Sequence, residues 1–250
     1  MTNKVKVLFV GETWFVFKMH MKGFDMFPLA GYEDYGVWFV EAMSEFKDIE
    51  MLHMPNHVAQ TSFPKTLEEI NQYDVIIISD CGKNTLQLYP DVSKIPMGPD
   101  RLDVIKEFVE MGKSFIMAGG WGSYQGFRGG IAGYQGTVIE EILPVKIQSC
   151  DDRVEKPQGI HPEILKINHP IFKNLPEEWP LFVGYNKVLP KKETDLLAEI
   201  NGDPFIAVRN YKKGKTMAFT SDLSKHWGTA FVSWESYKDF WHNTLLWIAG

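Results

Sequence analysis

Short β-branched runs that end at small or acidic residues constrain the fold of this chain most. The first run, Lys4–Val10, ends at Gly11, and Val75–Ser79 and Ser114–Met117 repeat the pattern. Runs of this length and composition are typical of strands in a parallel sheet that is buried on both faces. Helical segments lie between them, so the sequence predicts a series of βα units.

A helix is predicted from about Asp100 to Met111, directly before the third strand. Its apolar residues recur at helical spacing, and Asp100 is a suitable N-cap. Right-handed crossovers then give an open, doubly wound sheet, which holds ligands outside the carboxyl ends of its strands. The segments that begin at Glu12, Asp80 and Gly119 are therefore predicted to border a site.

The C-terminal half adds antiparallel structure to this α/β core. Phe205–Asn210 and Lys215–Thr220 are two short strands joined by a glycine-containing turn, which predicts a hairpin. Ser236–Ile248 predicts a closing helix with one apolar face. The sequence contains no repeat, low-complexity tract or linker, so we expect a single domain over residues 1–250.

Composition excludes several classes of partner. The chain has 250 residues and a formal net charge of -6, with its basic residues scattered, so no nucleic acid partner is expected. The N-terminal apolar run is too short for a membrane span or a signal peptide core. The two cysteines, Cys81 and Cys150, match no zinc or redox spacing, and such sparse cysteine use indicates the cytoplasm.

No metal or cofactor site is predicted. Pro55 stands between His53 and His57 and opposes the helix that would bring the two imidazoles together around a metal. The glycine-rich stretch 119–136 lacks the lysine-containing ending and the glycine spacing of phosphate-binding loops. A small-molecule ligand without a bound nucleotide is the expectation.

Several motifs together indicate a family. After the third strand comes Gly119-Gly120-Trp121-Gly122-Ser123, a small-residue turn that is similar to a nucleophile elbow. The other motifs are Ser79-Asp80, His169-Pro170, Ser221-Asp222 and His226-Trp227-Gly228. Together they resemble the class I glutamine amidotransferase-like and ThuA-like (trehalose-utilisation) group. The resemblance implies a flavodoxin-like sheet, a cytoplasmic location, self-association and a link to sugar metabolism.

The chain departs from that family at the nucleophile. Active members carry a cysteine in the elbow and a His-x-Glu pair after a late strand, whereas Gly120, Trp121 and Gly122 have no nucleophilic atom. We interpret the early triplet His161–Glu163 as a coincidence and place Asp222 and His226 in the equivalent position. Glutamine hydrolysis is therefore not expected.

The predicted site binds a small polar metabolite, most simply a sugar or sugar derivative. Aromatic faces suit sugar rings, and nearby acids and amides suit hydroxyl groups. Three residues are predicted to carry proton transfer, with His226 or Glu12 as base and the elbow amides stabilising negative charge: Glu12, Asp222 and His226. Seven are predicted to bind the ligand: His20, Asp25, Asp80, Gly120, Trp121, Ser123 and Trp227.

Two alternatives remain open. The chain is a hydrolase or transferase if Ser123 or Cys81 is a nucleophile, although Asp80 next to Cys81 opposes formation of a thiolate. It is a structural or regulatory homo-oligomer if the aromatic segment Trp14–Phe27 is an interface. The longer segment 12–34 is unusually apolar for a connection, and it is expected to act as a lid over the cleft or to be buried between subunits.

Overall fold

The computed structural model describes residues 4–250, and a mixed sheet of eight strands runs through the molecule. The strands, in chain order, are β1 Val5–Gly11, β2 Thr13–Lys22, β3 Asp25–Asp34, β4 Ile49–Met54, β5 Val75–Ser79, β6 Ser114–Ala118, β7 Val145–Lys146, β8 Arg153–Ile160, β9 Glu163–Ile164, β10 Phe182–Asn186, β11 Leu189–Pro190, β12 Asp195–Ile200, β13 Asp203–Tyr211 and β14 Gly214–Phe219. The α-helices are α1 Val37–Ser44, α2 Asn56–Ser62, α3 Leu67–Ile70, α4 Lys83–Gln87, α5 Arg101–Glu110, α6 Val138–Ile142, α7 Thr229–Val232 and α8 Tyr237–Ala249. One 3-10 turn spans Pro170–Phe172.

The strand order of the main sheet is β4-β1-β5-β6-β14-β13-β12-β9. The five strands from β4 to β14 are parallel to their neighbours, and β13, β12 and β9 are added in antiparallel fashion. This confirms the predicted α/β, flavodoxin-like sheet with an antiparallel hairpin in the C-terminal half. No helix of the described residues is long and apolar enough to cross a membrane.

Burial on both faces explains the unbroken apolar runs of the central strands. In β1, Leu8 belongs to the core on one side of the sheet and Phe9 to the core on the other, and both are fully buried. Helix α8 covers the Phe9 side through residues such as Trp241, and α5 covers the Leu8 side. As predicted, Asp100 caps α5, because its carboxylate accepts a hydrogen bond from the amide of Leu102 at 2.9 Å.

The register of the parallel strands brings their carboxyl ends to one edge. Gly11 at the end of β1 pairs with Ser79 at the end of β5, and Ala118 at the end of β6 pairs with Phe219 at the end of β14. The residues that follow these four ends therefore meet, as expected for an open parallel sheet.

The segment between β1 and α1 forms a regular two-stranded ribbon. Strands β2 and β3 pair antiparallel in ten steps, from Thr13 opposite Asp34 to Lys22 opposite Asp25. We call residues 13–34 the arm. The sequence analysis treated this segment as a connection and did not predict its two strands, in which side chains alternate between the two faces and a tight turn at Gly23, with φ of 64°, reverses the chain.

Candidate functional site

A cavity of about 600 Å³ opens at the edge where the four carboxyl ends meet. Aromatic rings form its walls, and these are Trp14, Tyr35, Trp121 and Phe127. Acids and a histidine form its most polar part, and these are Glu12, Asp80, Asp222 and His226. Further hydrogen-bonding groups come from Thr13, Asn56, Asn84, Thr85 and Ser224. Five of the predicted site residues therefore line one cavity, and these are Glu12, Asp80, Trp121, Asp222 and His226.

Glu12 follows β1 and enters the cavity through a left-handed backbone, with φ of 55°. Its two carboxyl oxygens accept hydrogen bonds from the hydroxyl groups of Ser79 and Ser224, the latter at 2.7 Å. Burial, and then the charges of Asp80 and Asp222, raise the pKa of Glu12 well above its ordinary value. The carboxyl group therefore keeps its proton at pH values where an exposed glutamate is ionised.

Asp80 follows β5 and is also held in the left-handed region, with φ of 46°. Its carboxylate accepts a hydrogen bond from the amide of Gly122, and its own amide donates to the Ser123 hydroxyl oxygen at 3.0 Å. Burial and the charge of Asp222 raise the pKa of Asp80 to about 6. Asp80 consequently changes its charge close to neutral pH.

Asp222 and His226 form a hydrogen-bonded pair after β14. Nδ1 of His226 lies 2.6 Å from Oδ2 of Asp222, and the same oxygen accepts the amide of Trp227 at 2.8 Å. Burial raises the pKa of Asp222. Burial lowers the pKa of His226, but the hydrogen bond and charge of Asp222 outweigh it, so the net pKa is raised. In residues 4–250, Nε2 of His226 has no hydrogen-bond partner, and it is therefore free to exchange a proton with a ligand.

Gly120 separates the two aspartates. It has φ of 141°, and a Cβ atom there would lie 2.8 Å from Oδ1 of Asp80 and 3.0 Å from Oδ1 of Asp222. Its amide donates to Oδ1 of Asn186 at 2.9 Å, and its carbonyl accepts from Nδ2 of the same side chain at 3.2 Å. The elbow thus has no space for any side chain, nucleophilic or not, at Gly120.

The elbow amides were predicted to stabilise negative charge on a ligand, but two of them already donate hydrogen bonds within the protein. The amide of Gly120 donates to Asn186 and that of Gly122 donates to Asp80. Within the described part of the chain, the amide of Trp121 donates to no acceptor. It is the elbow donor left for a ligand.

Two tryptophans share one acceptor beside the cavity. The indole N–H groups of Trp121 and Trp227 donate to Oε1 and Oε2 of Glu155, at 3.2 and 2.9 Å. Trp121 is 40% exposed and stands edge-on to His226 at 5.1 Å. Trp227 is buried and stacks on His226 at 5.3 Å. Trp121 is positioned to touch a ligand, whereas Trp227 supports the histidine and does not line the cavity.

The two nucleophile candidates do not face the cavity. Ser123 is fully buried, and its oxygen is used by Asp80. Cys81 is buried in the core, where burial raises the pKa of its thiol to about 12. Cys150 is exposed in the loop before β8 and does not line the cavity. The hydrolase alternative therefore lacks an accessible nucleophile among these three residues.

His20 and Asp25 do not belong to this site. His20 lies far along the arm and stacks on Phe27 at 5.3 Å, and Asp25 pairs with Lys22 beside the arm's turn. A strand rises about 3.3 Å per residue, so the arm carries them roughly 20 Å or more from its root. Thr13 and Trp14 are the arm residues that line the cavity. The arm is therefore not a closed lid in this structure.

The sequence prediction missed several site residues, among them lining residues such as Tyr35 and Asn56 and three that hold other site residues in place. Ser224 binds Glu12, Asn186 binds the elbow, and Glu155 binds both tryptophans. Ser224 lies inside the Ser221–His226 segment that the motifs had already marked, so a signal was present. Asn186 and Glu155 come from β10 and β8, and no local pattern links them to the elbow.

Comparison with known proteins identifies the family. Residues 6–250 match the sequence model of the family described as "Putative glutamine amidotransferase". The chain belongs to this amidotransferase-like family. No curated protein matches this amidotransferase-like protein significantly.

Solved structures agree with the family and the fold. A cytoplasmic protein from Salmonella typhimurium is 40% identical, with a TM-score of 0.93, and the match covers 98% of this chain and 99% of that one. A second cytoplasmic protein, from Salmonella typhimurium LT2, is 40% identical with a TM-score of 0.92 and the same coverage. A ThuA-like protein from Parabacteroides merdae is 10% identical, with a TM-score of 0.59 and coverage of 99% and 90%. That last likeness shows that the amidotransferase-like protein shares the fold.

Proposed function

We propose that this protein binds a sugar or sugar derivative without a phosphate group and transfers protons to or from it. The observation that carries this proposal is the make-up of the cavity, with aromatic walls around a group of three acids and one histidine. Aromatic faces pack on the apolar faces of sugar rings, and carboxyl and amide groups bind hydroxyl groups. No lysine or arginine is among the described residues that line the cavity, which disfavours phosphorylated ligands.

The acid–base groups differ in protonation, which suits proton transfer. The raised pKa of Glu12 favours its protonated form, so this carboxyl group holds a proton that it can give to a ligand. Asp80, with a pKa of about 6, is largely ionised at neutral pH. His226 has its Nδ1 fixed by Asp222 and presents Nε2 to the cavity. Groups whose environments separate their pKa values in this way are typical of acid and base partners.

Glutamine hydrolysis is not part of the proposal. An acyl-enzyme requires a nucleophile beside a base, whereas Gly120 of the elbow has no side chain and the carboxylates of Asp80 and Asp222 occupy the space beside it. We further propose a cytoplasmic location, on the strength of the two relatives from Salmonella typhimurium that are named as cytoplasmic proteins.

Ligand titrations test the proposal. Calorimetry and tryptophan fluorescence would be recorded with neutral sugars, amino sugars and sugar phosphates. We expect binding by members of the first two groups, and at least tenfold weaker binding when Trp121 is replaced by Ala, because a stacking face is lost. Failure of every unphosphorylated sugar, or tighter binding of the phosphates, would contradict the proposed ligand class.

The proton-transfer part needs its own control. His226→Gln removes the titratable imidazole from the cavity, whereas His242→Gln removes a histidine that also pairs with an aspartate, Asp48, but outside the cavity. The measurement is the replacement of carbon-bound hydrogen of a bound sugar by deuterium from D2O, followed by NMR. This exchange should slow at least a hundredfold in His226→Gln and stay unchanged in His242→Gln. Equal exchange in both variants refutes a proton-transfer role, and ammonia release from glutamine by the wild type refutes the exclusion of glutaminase chemistry.

A further inference from the structure

The arm has one face that is apolar throughout. The pairing register places four cross-strand pairs on this face, and these are Phe15–Tyr32, Phe17–Ala30, Met19–Pro28 and Met21–Met26. None of the eight residues carries a charge. We call these eight residues the apolar arm face. The opposite face is mixed. It carries apolar side chains such as Phe27 and Leu29, but also the ionisable residues of the arm, which are Lys18, His20, Lys22, Asp25 and Glu33.

Most of the apolar arm face has no partner within the chain. Phe17 is 78% exposed and Met21 is 76% exposed. Near the root, Phe15 and Tyr32 contact His57 of α2, with ring centroids 5.5 Å apart in both cases. Beyond that contact the ribbon stands alone, and an isolated two-stranded ribbon is only marginally stable in water. The arm therefore needs a surface to pack against.

The extent of the face matches a protein interface. Six of its members are large side chains that are between 44% and 78% exposed. With about 200 Å² for each fully exposed large side chain, the face offers roughly 800 Å² of apolar surface, which is close to what each partner contributes to a standard interface. The largest apolar patch of a typical monomer is smaller, at about 300–600 Å².

A second copy of this chain is the occupant that fits best. A face without charges cannot recognise a charged partner, but two identical faces can pack on each other without burying a charge. A two-fold axis makes such a contact self-complementary and closed. The root of the arm is fixed for this purpose, because the amide and side-chain nitrogens of Asn56 donate to Oγ1 and the carbonyl oxygen of Thr13, at 2.8 and 2.7 Å.

We propose that this protein self-associates through its arms, with the apolar arm face of one copy packed on that of another. The association is independent of the ligand proposed above. It assigns the aromatic segment 14–27 to an interface, and it leaves the opposite face of each arm, with its ionisable residues, in water.

The test compares the two faces of one strand by sedimentation. Analytical ultracentrifugation of the full chain should show dimers or multiples of dimers across a broad range of concentration. Phe17→Lys should yield monomers, whereas Lys18→Glu, on the opposite face, should sediment like the wild type. The helical signal in circular dichroism should be the same for all three proteins, because both side chains are exposed on the arm and lie outside the helix-covered core. A monomeric wild type, or an unchanged Phe17→Lys assembly, overturns the proposal.

Cross-linking gives a second readout that does not depend on a disruptive variant. In a Cys150→Ser background, Met19→Cys should form a disulfide between copies under mild oxidation, because Met19 lies on the apolar arm face. Lys18→Cys should not, because its side chain points away from that face. Equal cross-linking of the two variants, or none in Met19→Cys, contradicts the proposed packing. A monomer that instead binds phosphatidylcholine vesicles would assign the face to a lipid surface.

Discussion

Asp222 holds the imidazole of His226 by a hydrogen bond of 2.6 Å between Oδ2 and Nδ1. The two residues are four apart in sequence and leave β14 on the same loop. The rings of Trp121 and Trp227 both pack against the imidazole, the first edge-on and the second stacked. One imidazole nitrogen is therefore fixed, and the other faces the cavity.

Replacing Asp222 by Asn should lower the pKa of His226. The hydrogen bond and charge of Asp222 are the largest causes that raise this pKa against burial, so burial will dominate in the variant. The histidine Cε1 proton, followed by NMR through a pH titration, reports the pKa directly. Asp48→Asn is the matched control, because Asp48 pairs with His242 instead. A pKa of His226 that is equal or higher in Asp222→Asn would contradict this role.

The free energy of unfolding of the wild type should fall as the pH rises from acid to neutral, and it should fall less in Asp80→Asn. The pKa of Asp80 is raised from 3.8 to about 6, so the folded protein holds this proton more tightly than the unfolded chain. Its contribution to the free energy of unfolding is full below pH 3.8 and is lost as pH rises through about 6. The variant lacks this loss, which is about 3 kcal/mol in full and about 2 kcal/mol between about pH 4.5 and about pH 7.5.

Urea unfolding of both proteins at about pH 4.5 and about pH 7.5 measures the difference. Asp103→Asn provides a control, because Asp103 is an exposed aspartate in the first turn of α5. Identical pH dependence in the wild type and Asp80→Asn would show that the carboxylate does not titrate abnormally.

Replacing Gly120 by Ala should destabilise the protein strongly and abolish ligand binding. The new Cβ would stand 2.8 Å from Oδ1 of Asp80, on a backbone with φ of 141°. We expect a loss of about 3 kcal/mol or more in the free energy of unfolding. Gly202→Ala is the matched control, since φ there is 76° and no heavy atom lies within 4 Å of the added Cβ. Its cost should be limited to backbone strain, about 1–2 kcal/mol. Equal costs would mean that the two aspartates do not confine the elbow.

The two thiols should differ sharply in reactivity. Cys150 is exposed and should react readily with a disulfide reagent in the folded protein. Burial raises the pKa of Cys81 to about 12, so its thiol should react only after unfolding. Absorbance on addition of the reagent should show one thiol in buffer and two in denaturant. Fast reaction of Cys81 in the Cys150→Ser variant would contradict this expectation and would support Cys81 as a nucleophile.

The sequence predicted the parts of the site that strand ends determine. Apolar runs locate the ends of β1, β5, β6 and β14, and parallel topology then brings Glu12, Asp80, Gly120 and Asp222 to one edge. Hydrogen bonds between segments that are distant in the sequence could not be predicted. The hydroxyl of Ser123 turns towards the Asp80 amide instead of the cavity, and Glu155 arrives from β8. Packing of the whole chain fixes both, and neither leaves a local pattern.

The arm shows a different kind of failure. Its alternation of Phe15, Phe17, Met19 and Met21 with more polar neighbours is the period of a strand, and Gly23 marks the turn. The signal was present, but the position directly after β1 favoured the interpretation as a connecting loop. The site assignments of His20 and Asp25 followed from that interpretation.

The geometry around Gly120 also bears on how this lineage can change. A single codon substitution to cysteine would force the new side chain against Asp80 and Asp222, so the intermediate would lose stability before it acquired any thiol chemistry. Both carboxylates would have to be shortened or replaced first, and those changes would dismantle the present cavity. A cysteine at Gly120 would therefore be tolerated only together with compensating changes at Asp80 and Asp222.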